Sequence, residues 1–458
     1  MRGLVFEKAF DYPQAPSIEG LGRIEITAGD LGIAALLLQA LTQAGADAAI
    51  ADAPGPAANT VIVTDGFSER PPAERHHRAL TIALAAPPAS RVFLIDRGQA
   101  AAPADLGGLS GLAKTIRQEQ AGRSVYALTV MTGDGPDAVH AIVSSLAQTD
   151  QDLVLGQGAA FHVALGDTLL PPTSAMTAGS DDVWVVTGGA RGVTSDCAIE
   201  VAQRTGGTFL LLGRSSCIVW PSWLEETDSL PQLRAYLARR AGSNGVPSTP
   251  KEIDRYARNL LAGREIIATL ARFSEVGAAA HYVQCDLSQP DMIRAAITGA
   301  LPRGKQVTGI IHGAGVLSDA VVEKQTEATF QTVFGPKVDG LLALMQCVDP
   351  GQLRYCGLFS SASAVFGNPG QANYAAANGW LNTYATHLSA AYPSLRVRSF
   401  CWGPWEGGMV DEGLARMFAA RDISLISRNE GARIFADQLL EADHAFPHLV
   451  VGDVWGEA

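Results

Sequence analysis

The sequence predicts an α/β protein made of two successive halves, each with a mostly parallel sheet between helices. One observation is a series of short apolar runs, such as residues 60–64 and 92–95, which are typical of buried parallel strands. Another is that stretches with helical periodicity separate these runs. The third is a glycine-rich turn at residues 187–192, directly after the strand-like residues 183–186. These patterns favour a doubly wound parallel sheet in the second half, preceded by a smaller, truncated sheet.

The composition is that of a folded protein with large cores, and it argues against several functional classes. The chain has 458 residues, of which 47% are hydrophobic and 17% charged, so we expect two or three domains. Its net charge of -12 argues against nucleic-acid binding, which normally requires a basic surface. The six cysteines form no CxxC pair, so we expect neither a zinc site nor a disulfide framework.

The N-terminal residues predict a cytoplasmic protein. Residues 1–8 lack the apolar core of a signal peptide. The apolar run at residues 33–41 is too short to span a bilayer. A beginning inside a strand-like run would also suit a piece of a longer polypeptide.

Residues 1–175 are predicted to form a structural subdomain that binds no cofactor. Strands are expected at residues 24–27, 60–64, 92–95 and 125–130, with helices at 33–44 and from 108 onward. The turn at residues 29–32 has only two glycines and places the Asp30 carboxylate where a phosphate would lie, which is unfavourable. A second nucleotide site remains the alternative. The Pro-, Ser- and Thr-rich residues 171–180 predict a linker, and we place the boundary near residue 175.

Residues 176–458 are predicted to form the catalytic subdomain, which begins with a dinucleotide-binding turn. A helix is expected from about residue 195 to residue 204, directly after the glycine-rich turn. Gly188 permits a tight turn, and Gly192 lets the backbone and the helix N-terminus approach a phosphate. The candidate cofactor-binding residues of this turn are Thr187, Gly188, Gly189, Ala190, Arg191, Gly192 and Val193.

Residues that follow later strands predict the type of dinucleotide. The strand at residues 208–213 is followed by Arg214 and Ser215, where NAD-binding proteins usually carry an acidic residue. An arginine accommodates a 2′-phosphate, so we predict NADPH as the cofactor; the alternative is an ordinary surface arginine. The strand at 281–286 ends in Asp286, whose carboxylate can accept a hydrogen bond from the adenine amino group. The remaining candidate cofactor-binding residues are Leu287, His312, Gly313, Ala314 and Gly315, the last four in a small turn beside the cofactor ribose.

An insertion at residues 217–276 interrupts the alternation of strands and helices. Thr249, Pro250 and Glu252 match the N-cap, the first position and the capping-box position of a helix. Helices are predicted at residues 231–240, 250–261 and 264–273. We interpret the insertion as a structural helical hairpin that could also cover the adenosine side of the cofactor.

Four polar residues of the second half are candidates for catalysis. Lys337 lies on a predicted helix, Ser361 ends a strand, and Tyr374 and Asn378 follow on the next helix. In open parallel sheets, ligands bind at the carboxyl ends of the strands. Because residues four apart share one helix face, Tyr374 and Asn378 are expected to point into the same cleft. Each residue alone also suits an ordinary structural role, but together they can hold a carbonyl and give it a proton.

Residues 187–192, 312–316, 358–361 and 371–378 together resemble the ketoreductase domains of polyketide synthases, in the short-chain dehydrogenase superfamily. In single-domain members of that superfamily a lysine follows the tyrosine by four residues, whereas here Asn378 does so and Lys337 lies upstream. The insertion resembles that of the ketoreductases of polyunsaturated fatty acid synthases and related iterative synthases. Thr194 departs from the pattern, since many relatives have a third glycine there. The resemblance implies two Rossmann-like subdomains, of which the first is truncated.

The resemblance also implies a reaction and its partners. A β-ketoacyl thioester, carried on the phosphopantetheine of an acyl carrier protein within a multidomain synthase, would be reduced by NADPH. Ser361 and Tyr374 would hydrogen-bond the ketone oxygen, and Tyr374 would donate the proton. Lys337 and the cofactor ribose would stabilise the phenolate, while Asn378 would hold a water or a backbone carbonyl.

The resemblance extends to the stereochemistry of the product. Residues 317–319 resemble the Leu-Asp-Asp motif of ketoreductases that form the 3R alcohol, with Asp319 matching and Ser318 departing. Phe366 occupies the position where enzymes of the opposite type carry tryptophan. A lid helix over the acyl chain is expected at residues 409–420. The candidate substrate-contacting residues are Asp319, Phe366, Pro369, Asn373 and Met409, of which Pro369 and Asn373 also fit the 3R type.

Two other functions remain open at this point. The chain could be a non-catalytic NADPH-binding or scaffolding domain of a synthase, although the complete set of Lys337, Ser361, Tyr374 and Asn378 argues against it. It could also be a free-standing reductase of small ketones, although the truncated first half argues against that. Turnover of β-ketoacyl thioesters and of free ketones would separate these functions.

Overall fold

The computed structural model describes residues 2–166, 178–407, 412–420, 423–441 and 447–453. The predicted domain boundary near residue 175 lies outside these described residues. Within them, the strands are β1 (Arg2–Asp11), β2 (Ile24–Thr27), β3 (Ala48–Ala51), β4 (Thr60–Gly66), β5 (Arg91–Arg97), β6 (Ser124–Val130), β7 (Leu153–Leu155), β8 (Ala159–Gly166), β9 (Val183–Thr187), β10 (Thr208–Gly213), β11 (Ala279–Gln284), β12 (Gly309–His312), β13 (Tyr355–Ser361), β14 (Arg396–Trp402) and β15 (His448–Val451).

The helices of the described residues alternate with these strands and cover both faces of the sheet. They are α1 (Leu31–Gln43), α2 (Pro72–Ala85), α3 (Leu109–Glu119), α4 (Pro136–Leu146), α5 (Gly192–Thr205), α6 (Leu230–Ala238), α7 (Pro250–Glu275), α8 (Pro290–Ala300), α9 (Glu327–Phe334), α10 (Gly340–Met345), α11 (Ser363–Phe366), α12 (Ala372–Ala391), α13 (Glu412–Ala419) and α14 (Arg428–Leu440). A single π-helical turn, Gly335–Asp339, joins α9 to α10.

All the described strands join one sheet, in the order β11-β10-β9-β12-β13-β14-β15-β1-β8-β7-β6-β5-β4-β2-β3. The N-terminal strand β1 is antiparallel to β15 of the second half and to β8 of the first half, so it joins the two halves. Strands β9 to β15 are parallel to one another, as are β2 to β7. The predicted α/β fold with two parallel, Rossmann-like halves is therefore confirmed.

In the second half, the order of the strands reverses between β9 and β12. Crossovers leave the sheet in opposite directions on either side of such a point, and a crevice opens there at the carboxyl ends of the strands. The glycine-rich turn follows β9, and the turn that begins at Gly313 follows β12. The fold thus brings both turns to the crevice where a dinucleotide would bind.

In the first half, the strand order reverses between β2 and β4, and α1 follows β2 at that point. Asp30 is the N-cap of α1, and its side chain accepts a hydrogen bond of 3.0 Å from the backbone N–H of Ile33. A carboxylate of the chain itself therefore satisfies the helix N-terminus, where an anion would otherwise bind. This geometry supports the interpretation of the first half as structural.

The insertion differs from the sequence prediction in one respect. The capping residues are confirmed, since Thr249 caps α7 and hydrogen-bonds Glu252 at 2.7 Å. The two helices predicted at 250–261 and 264–273 are wrong, because α7 continues without a break from Pro250 to Glu275. Gly263 lies inside this helix, where a side chain would overlap the backbone of Ile218. The glycine therefore permits a close crossing of the chain and does not end a helix.

Helices of the first half pack on helices of the second half that carry candidate catalytic residues. Helix α3 lies against α12, and Gly108, the N-cap of α3, contacts the α12 backbone at Gly379. Helix α2 lies against α9, where the rings of His76 and Phe334 have their centroids 5.0 Å apart. The first half therefore packs on α12, which carries Tyr374 and Asn378, and on α9, which precedes Lys337.

The described residues show neither a membrane-spanning helix nor a cluster of metal ligands. No helix in that part of the chain is long and apolar enough to cross a membrane. The same residues contain no group of three or more His, Cys, Asp or Glu side chains that could hold a metal ion.

Candidate active site

A cleft of about 1510 Å³ lies at the carboxyl ends of β9, β10, β12, β13 and β14. Its lining contains most of the residues that the sequence predicts to bind cofactor or substrate or to catalyse. They are Gly188, Ala190, Arg191, Gly192, Val193, Arg214, Ser215, Asp286, Leu287, Gly313, Ala314, Gly315, Asp319, Lys337, Ser361, Pro369 and Tyr374. The fold therefore brings together residues that are up to 186 positions apart in the chain, from Gly188 to Tyr374.

The glycine-rich turn leaves an open space at the N-terminus of α5. Gly188 has a φ of 70°, and a Cβ there would lie 3.0 Å from the backbone of Ala314 on the neighbouring turn. Gly192 has a φ of 68°, with no other atom within 4 Å of a Cβ built there. No side chain caps α5 at Arg191, so its first N–H groups remain available to an anion. Gly189 lies against Val186, below the cleft.

Thr194 occupies the position of the third glycine without displacing α5. Its side chain is 5% exposed and packs on Gly313, where an added Cβ would overlap the threonine methyl and hydroxyl groups. Gly313, in the turn after β12, thus leaves room for the Thr194 side chain of α5. The chain can therefore carry a threonine where many relatives have a third glycine.

Arg214 and Asp286 lie at the end of the cleft where the sequence predicts the adenosine. The Arg214 side chain is exposed and follows β10 directly. Asp286 lies two residues beyond the end of β11, and one of its oxygens accepts hydrogen bonds from the N–H and the hydroxyl of Ser288, at 3.0 and 2.9 Å. The other carboxylate oxygen is the one available to a ligand.

The inserted helix α7 forms one wall of this end. Glu265, Thr269 and Arg272 line the cleft, and Glu265 makes an ion pair of 3.6 Å with Arg191 of the glycine-rich turn. Both members of that pair are about half exposed, so the pair contributes at most about 1 kcal/mol to stability. The insertion therefore lines the cleft beside the glycine-rich turn.

Asp196 joins the insertion to the segment after the predicted lid. Its carboxylate, on α5, accepts hydrogen bonds from Arg272 of α7 at 2.8 Å and from Arg428 of α14 at 2.6 Å. This cluster of Asp196, Arg272 and Arg428 could not be predicted from the sequence. Arg272 and Arg428 lie 76 and 232 positions after Asp196, and no local pattern relates them. Both arginines line the cleft, so Asp196 holds two cations at its edge.

Lys337 lies in the π-helical turn between α9 and α10, and its side chain is almost completely buried. Its Nζ donates a hydrogen bond of 2.8 Å to the carbonyl oxygen of Phe359 and lies 5.4 Å from the centre of the Tyr374 ring. Burial lowers the pKa of Lys337 from its ordinary value to about 7. The lysine can therefore change its protonation state near neutral pH.

Tyr374 lies in the first turn of α12, directly across from Lys337. Burial raises the pKa of its hydroxyl to about 12, and the negative charge of Asp319 adds to the rise. The hydroxyl therefore stays protonated at neutral pH and can act as a proton donor. Ser361 ends β13 at the same cleft, where its oxygen accepts hydrogen bonds of 3.1 and 3.0 Å from the N–H and the hydroxyl of Ser363. The Ser361 proton is thus free to point at a ligand.

Asn378 is fully buried one turn beyond Tyr374 and does not line the cleft, so the expectation that both residues point into the same cleft is wrong for Asn378. Its Nδ2 donates to the Tyr374 carbonyl at 2.8 Å, as expected for residues four apart on one helix. Its Oδ1 has no partner in the described part of the chain. A buried amide oxygen rarely stays without a hydrogen bond, so this position suits a bound water.

His312 and Thr187 do not face the cleft, in contrast to the sequence expectation that both contact the cofactor. His312 is fully buried, with Nδ1 2.8 Å from the Thr187 hydroxyl and Nε2 2.8 Å from the Lys337 carbonyl oxygen. Because each of the two side chains already uses its polar atoms inside the protein, neither is free to bind a nucleotide.

The predicted substrate contacts divide into two groups. Asp319 and Pro369 line the cleft, and Asp319 accepts a hydrogen bond of 3.1 Å from Gln371, at the start of α12. Asn373 is fully buried, and its Nδ2 donates to the carbonyl of Ser318 at 2.9 Å. It therefore holds the loop before Asp319 and does not contact a substrate itself. Met409 lies outside the described residues.

Phe366 does not line the cleft either. Its side chain is 1% exposed and packs with Leu4 and Val450 between the two halves. It borders a separate cavity of about 510 Å³, which contains none of the candidate catalytic residues. The expectation that Phe366 contacts the substrate is therefore wrong. Its apolar ring is stabilised more by burial between the halves than it would be at a polar cleft.

Residues 183–407 match the family model described as the KR domain. These residues form a ketoreductase domain. They include β9 to β14 and all four candidate catalytic residues, and they are of the kind found in type I polyketide synthases. The ketoreductase domain identifies the chain as an oxidoreductase, and domains of this family depend on a nicotinamide cofactor.

The curated relatives of this chain are large synthases. One of the proteins that make up the polyunsaturated fatty acid synthase of Thraustochytrium sp. is 32% identical over 372 residues, which cover 78% of this chain and 13% of that protein. A 6-methylsalicylic acid synthase of Arthrobotrys oligospora is 34% identical over 251 residues, or 53% of this chain and 13% of that protein. The chain thus spans about an eighth of the length of the relatives it matches.

Solved structures agree with the fold over nearly the whole chain. The ketoreductase from the first module of phoslactomycin biosynthesis in Streptomyces sp. HK803 has a TM-score of 0.72 at 20% identity, with 99% of this chain and 94% of that chain covered. A ketoreductase domain from the bacillaene assembly line has a TM-score of 0.66 at 21% identity, with 98% and 96% covered. At this level of identity the likeness concerns the fold alone, including the first half.

Proposed function

We propose that this ketoreductase reduces a β-ketoacyl thioester, carried on an acyl carrier protein, to the (3R)-β-hydroxyacyl thioester with NADPH. The synthesis of a polyketide or a polyunsaturated fatty acid is the setting that the relatives suggest. The observation that carries the proposal is the convergence of Lys337, Ser361 and Tyr374 on one cleft with the glycine-rich turn. The division into a structural subdomain, 1–175, and a catalytic one, 176–458, is part of the proposal.

The residues at the cleft fit a dinucleotide that carries a 2′-phosphate. The open space at Gly192 and the uncapped N-terminus of α5 suit a diphosphate. Arg214 lies at the end of β10, where an arginine favours NADPH over NADH. When bound, NADPH supplies a hydride to the ketone carbon.

The protein residues complete the reduction by moving a proton. Ser361 and Tyr374 donate hydrogen bonds to the ketone oxygen, and the Tyr374 proton passes to that oxygen as negative charge develops on it. The C=O group becomes CH–OH and a tyrosinate remains. Lys337 stabilises the tyrosinate by its positive charge, and Asn378 holds the backbone carbonyl of Tyr374 in the first turn of α12.

The experiment that tests this function follows NADPH absorbance with a short series of β-ketoacyl thioesters, both free and carrier-bound. We expect turnover, and we expect Tyr374→Phe to abolish most of it, because general acid catalysis typically contributes a factor of about 10² to 10⁴. Full activity of Tyr374→Phe would refute the assignment of the proton donor. A folded, NADPH-binding protein without turnover would instead support a scaffolding domain, and a preference for small free ketones would support a free-standing reductase.

The 3R product is a separate prediction, supported by the positions of Asp319 and Pro369 at the cleft and of Asn373 beneath the loop that carries Asp319. Chiral chromatography of the hydroxy acid released from the thioester product should give the 3R enantiomer. A product that is mainly 3S would contradict the prediction without affecting the reductase assignment.

A further inference from the structure

His312 connects the end of β9, the end of β12 and the backbone of the catalytic lysine. Its Nε2 faces the carbonyl oxygen of Lys337, which can only accept, so Nε2 carries the proton. Burial and the positive charge of Lys337 lower the pKa of His312 to about 3, so the ring is neutral and Nδ1 is an acceptor. The Thr187 hydroxyl therefore donates to Nδ1, and the same hydroxyl lies 3.4 Å from the backbone N–H of Ala314.

The backbone around Lys337 needs such a support. In the π-helical turn, the N–H of Gly340 bonds to the carbonyl of Gly335, five residues earlier. A turn of this kind departs from the regular helical ladder and is frequently found at functional sites. The lysine side chain runs beside Gly315, where a Cβ would lie 3.1 Å from Lys337 Cε. Only the carbonyl of Phe359 accepts from its tip among the described residues.

We propose that His312 is a positioning residue, which fixes the π-helical turn so that Lys337 reaches Phe359 and Tyr374. His312 acts through its Nε2–H bond to the Lys337 carbonyl and touches neither substrate nor cofactor. The inference rests on the proposed function, in which Lys337 stabilises the tyrosinate. It also explains why a histidine stands at the start of the β12 turn, although that turn lies beside the cofactor cleft.

Two substitutions separate the two hydrogen bonds of the ring. In His312→Gln, the side-chain amide reaches about as far as Nε2 and can still donate to Lys337. In His312→Asn, the shorter amide can replace only Nδ1, so the Lys337 carbonyl loses its partner. A third variant, His312→Met, fills the space without any hydrogen bond and replaces the asparagine variant if that one does not fold. His281→Asn, at an exposed position on β11, is the matched control.

We expect kcat to fall between about tenfold and a hundredfold in His312→Asn, at unchanged KM and NADPH affinity, as for other lost supporting contacts. His312→Gln should keep most of kcat. In a Lys337→Met background, His312→Asn should have almost no further effect, because both changes act on the same group. Full activity of His312→Asn, an equal loss in His312→Gln, or an additive loss in the Lys337→Met background would overturn the inference.

A second measurement reads the position of Lys337 without turnover. Labelling with acetic anhydride at a series of pH values, followed by mass spectrometry, gives the pH at which Lys337 becomes reactive. In His312→Asn we expect this midpoint to rise, because a loosened turn lets water reach the ammonium group, while His312→Gln should keep the wild-type midpoint. An unchanged midpoint in a folded His312→Asn protein would refute the inference. Absence of turnover in the wild-type protein would refute only the proposed function.

Discussion

At the scale of single residues, the site depends on two ionisable groups whose pKa values burial shifts in opposite directions. The pKa of Lys337 is lowered to about 7 and the pKa of Tyr374 is raised to about 12, in both cases mainly because burial disfavours the charged form. The tyrosine is thereby kept as an acid, while the lysine can exchange its proton near neutral pH. Active sites typically contain an acid and a base whose pKa values are separated in this way by their environments.

The lowered pKa of Lys337 predicts the pH dependence of the reduction. Below about pH 7 the lysine is protonated and its charge stabilises the tyrosinate, whereas above that pH it becomes neutral and the stabilisation is lost. We therefore expect kcat to fall as the pH rises through about 7. The measurement is kcat between pH 5.5 and 9 at saturating NADPH. Lys337→Met should have a low rate without this transition; a transition that persists in Lys337→Met would assign it to another group.

At the scale of elements, the insertion forms one wall of the proposed cofactor cleft. Helix α7 has its own small core with α6, where Leu233, Leu237 and Leu260 are fully buried. Its middle part lies over the glycine-rich turn, through Glu265 and Thr269. The position of α7 relative to the sheet depends on the crossing of Gly263 with the backbone of Ile218.

Gly263→Ala tests this crossing. In an ordinary helix interior, the substitution would add about 1 kcal/mol of stability through helix propensity. At this position the new Cβ overlaps the Ile218 backbone, so we expect a lower Tm and weaker NADPH binding, measured by thermal unfolding and by fluorescence titration. The matched control is Gly299→Ala in α8, where no atom lies within 4 Å of the added Cβ and Tm should stay the same or rise. Equal behaviour of the two variants would show that the crossing does not constrain α7.

At the scale of the whole molecule, the first half packs against the helices that carry or precede the candidate catalytic residues. Strand β1 pairs with β8 on one side and with β15 on the other, so the two halves share one sheet. Helix α3 packs on α12, which carries Tyr374, and α2 packs on α9, which leads to Lys337. The two helices that must stay aligned for proton transfer are thus both supported by the same half.

Gly108→Ala tests the coupling between the halves. The added Cβ would overlap the α12 backbone at Ala376 and Trp380, on the helix that carries Tyr374, while Gly108 itself has a φ of −170°, which alanine can adopt. Since small displacements of catalytic groups can cost up to about a hundredfold in rate, we expect a reduced kcat with little change in NADPH affinity. Gly135→Ala, at the N-cap of α4 with no atom within 4 Å, is the control. A Gly108→Ala enzyme with wild-type kcat would argue that the halves are not coupled in this way.

The sequence predicted the fold well where the signal is local. The strands at residues 24–27, 60–64, 92–95 and 125–130 all form, because each is a short apolar run bounded by turn residues. Strand β3 was not predicted because three of its four residues are alanine, which does not favour a strand, and β7 was not predicted because it has only three residues. The break expected in α7 failed for another reason: a glycine in a helical pattern does not show whether it ends the helix or admits a neighbouring chain.

The sequence by itself determined the α/β architecture, the glycine-rich turn and the order of Lys337, Ser361, Tyr374 and Asn378, because all of these are patterns of residues near one another in the chain or of their succession. Only the tertiary structure decided that His312 supports Lys337, that Asn373 supports the loop before Asp319, and that Phe366 lies between the halves. Each of these roles depends on which carbonyl or which apolar surface the fold brings against the side chain, and residues far apart in the chain supply those partners.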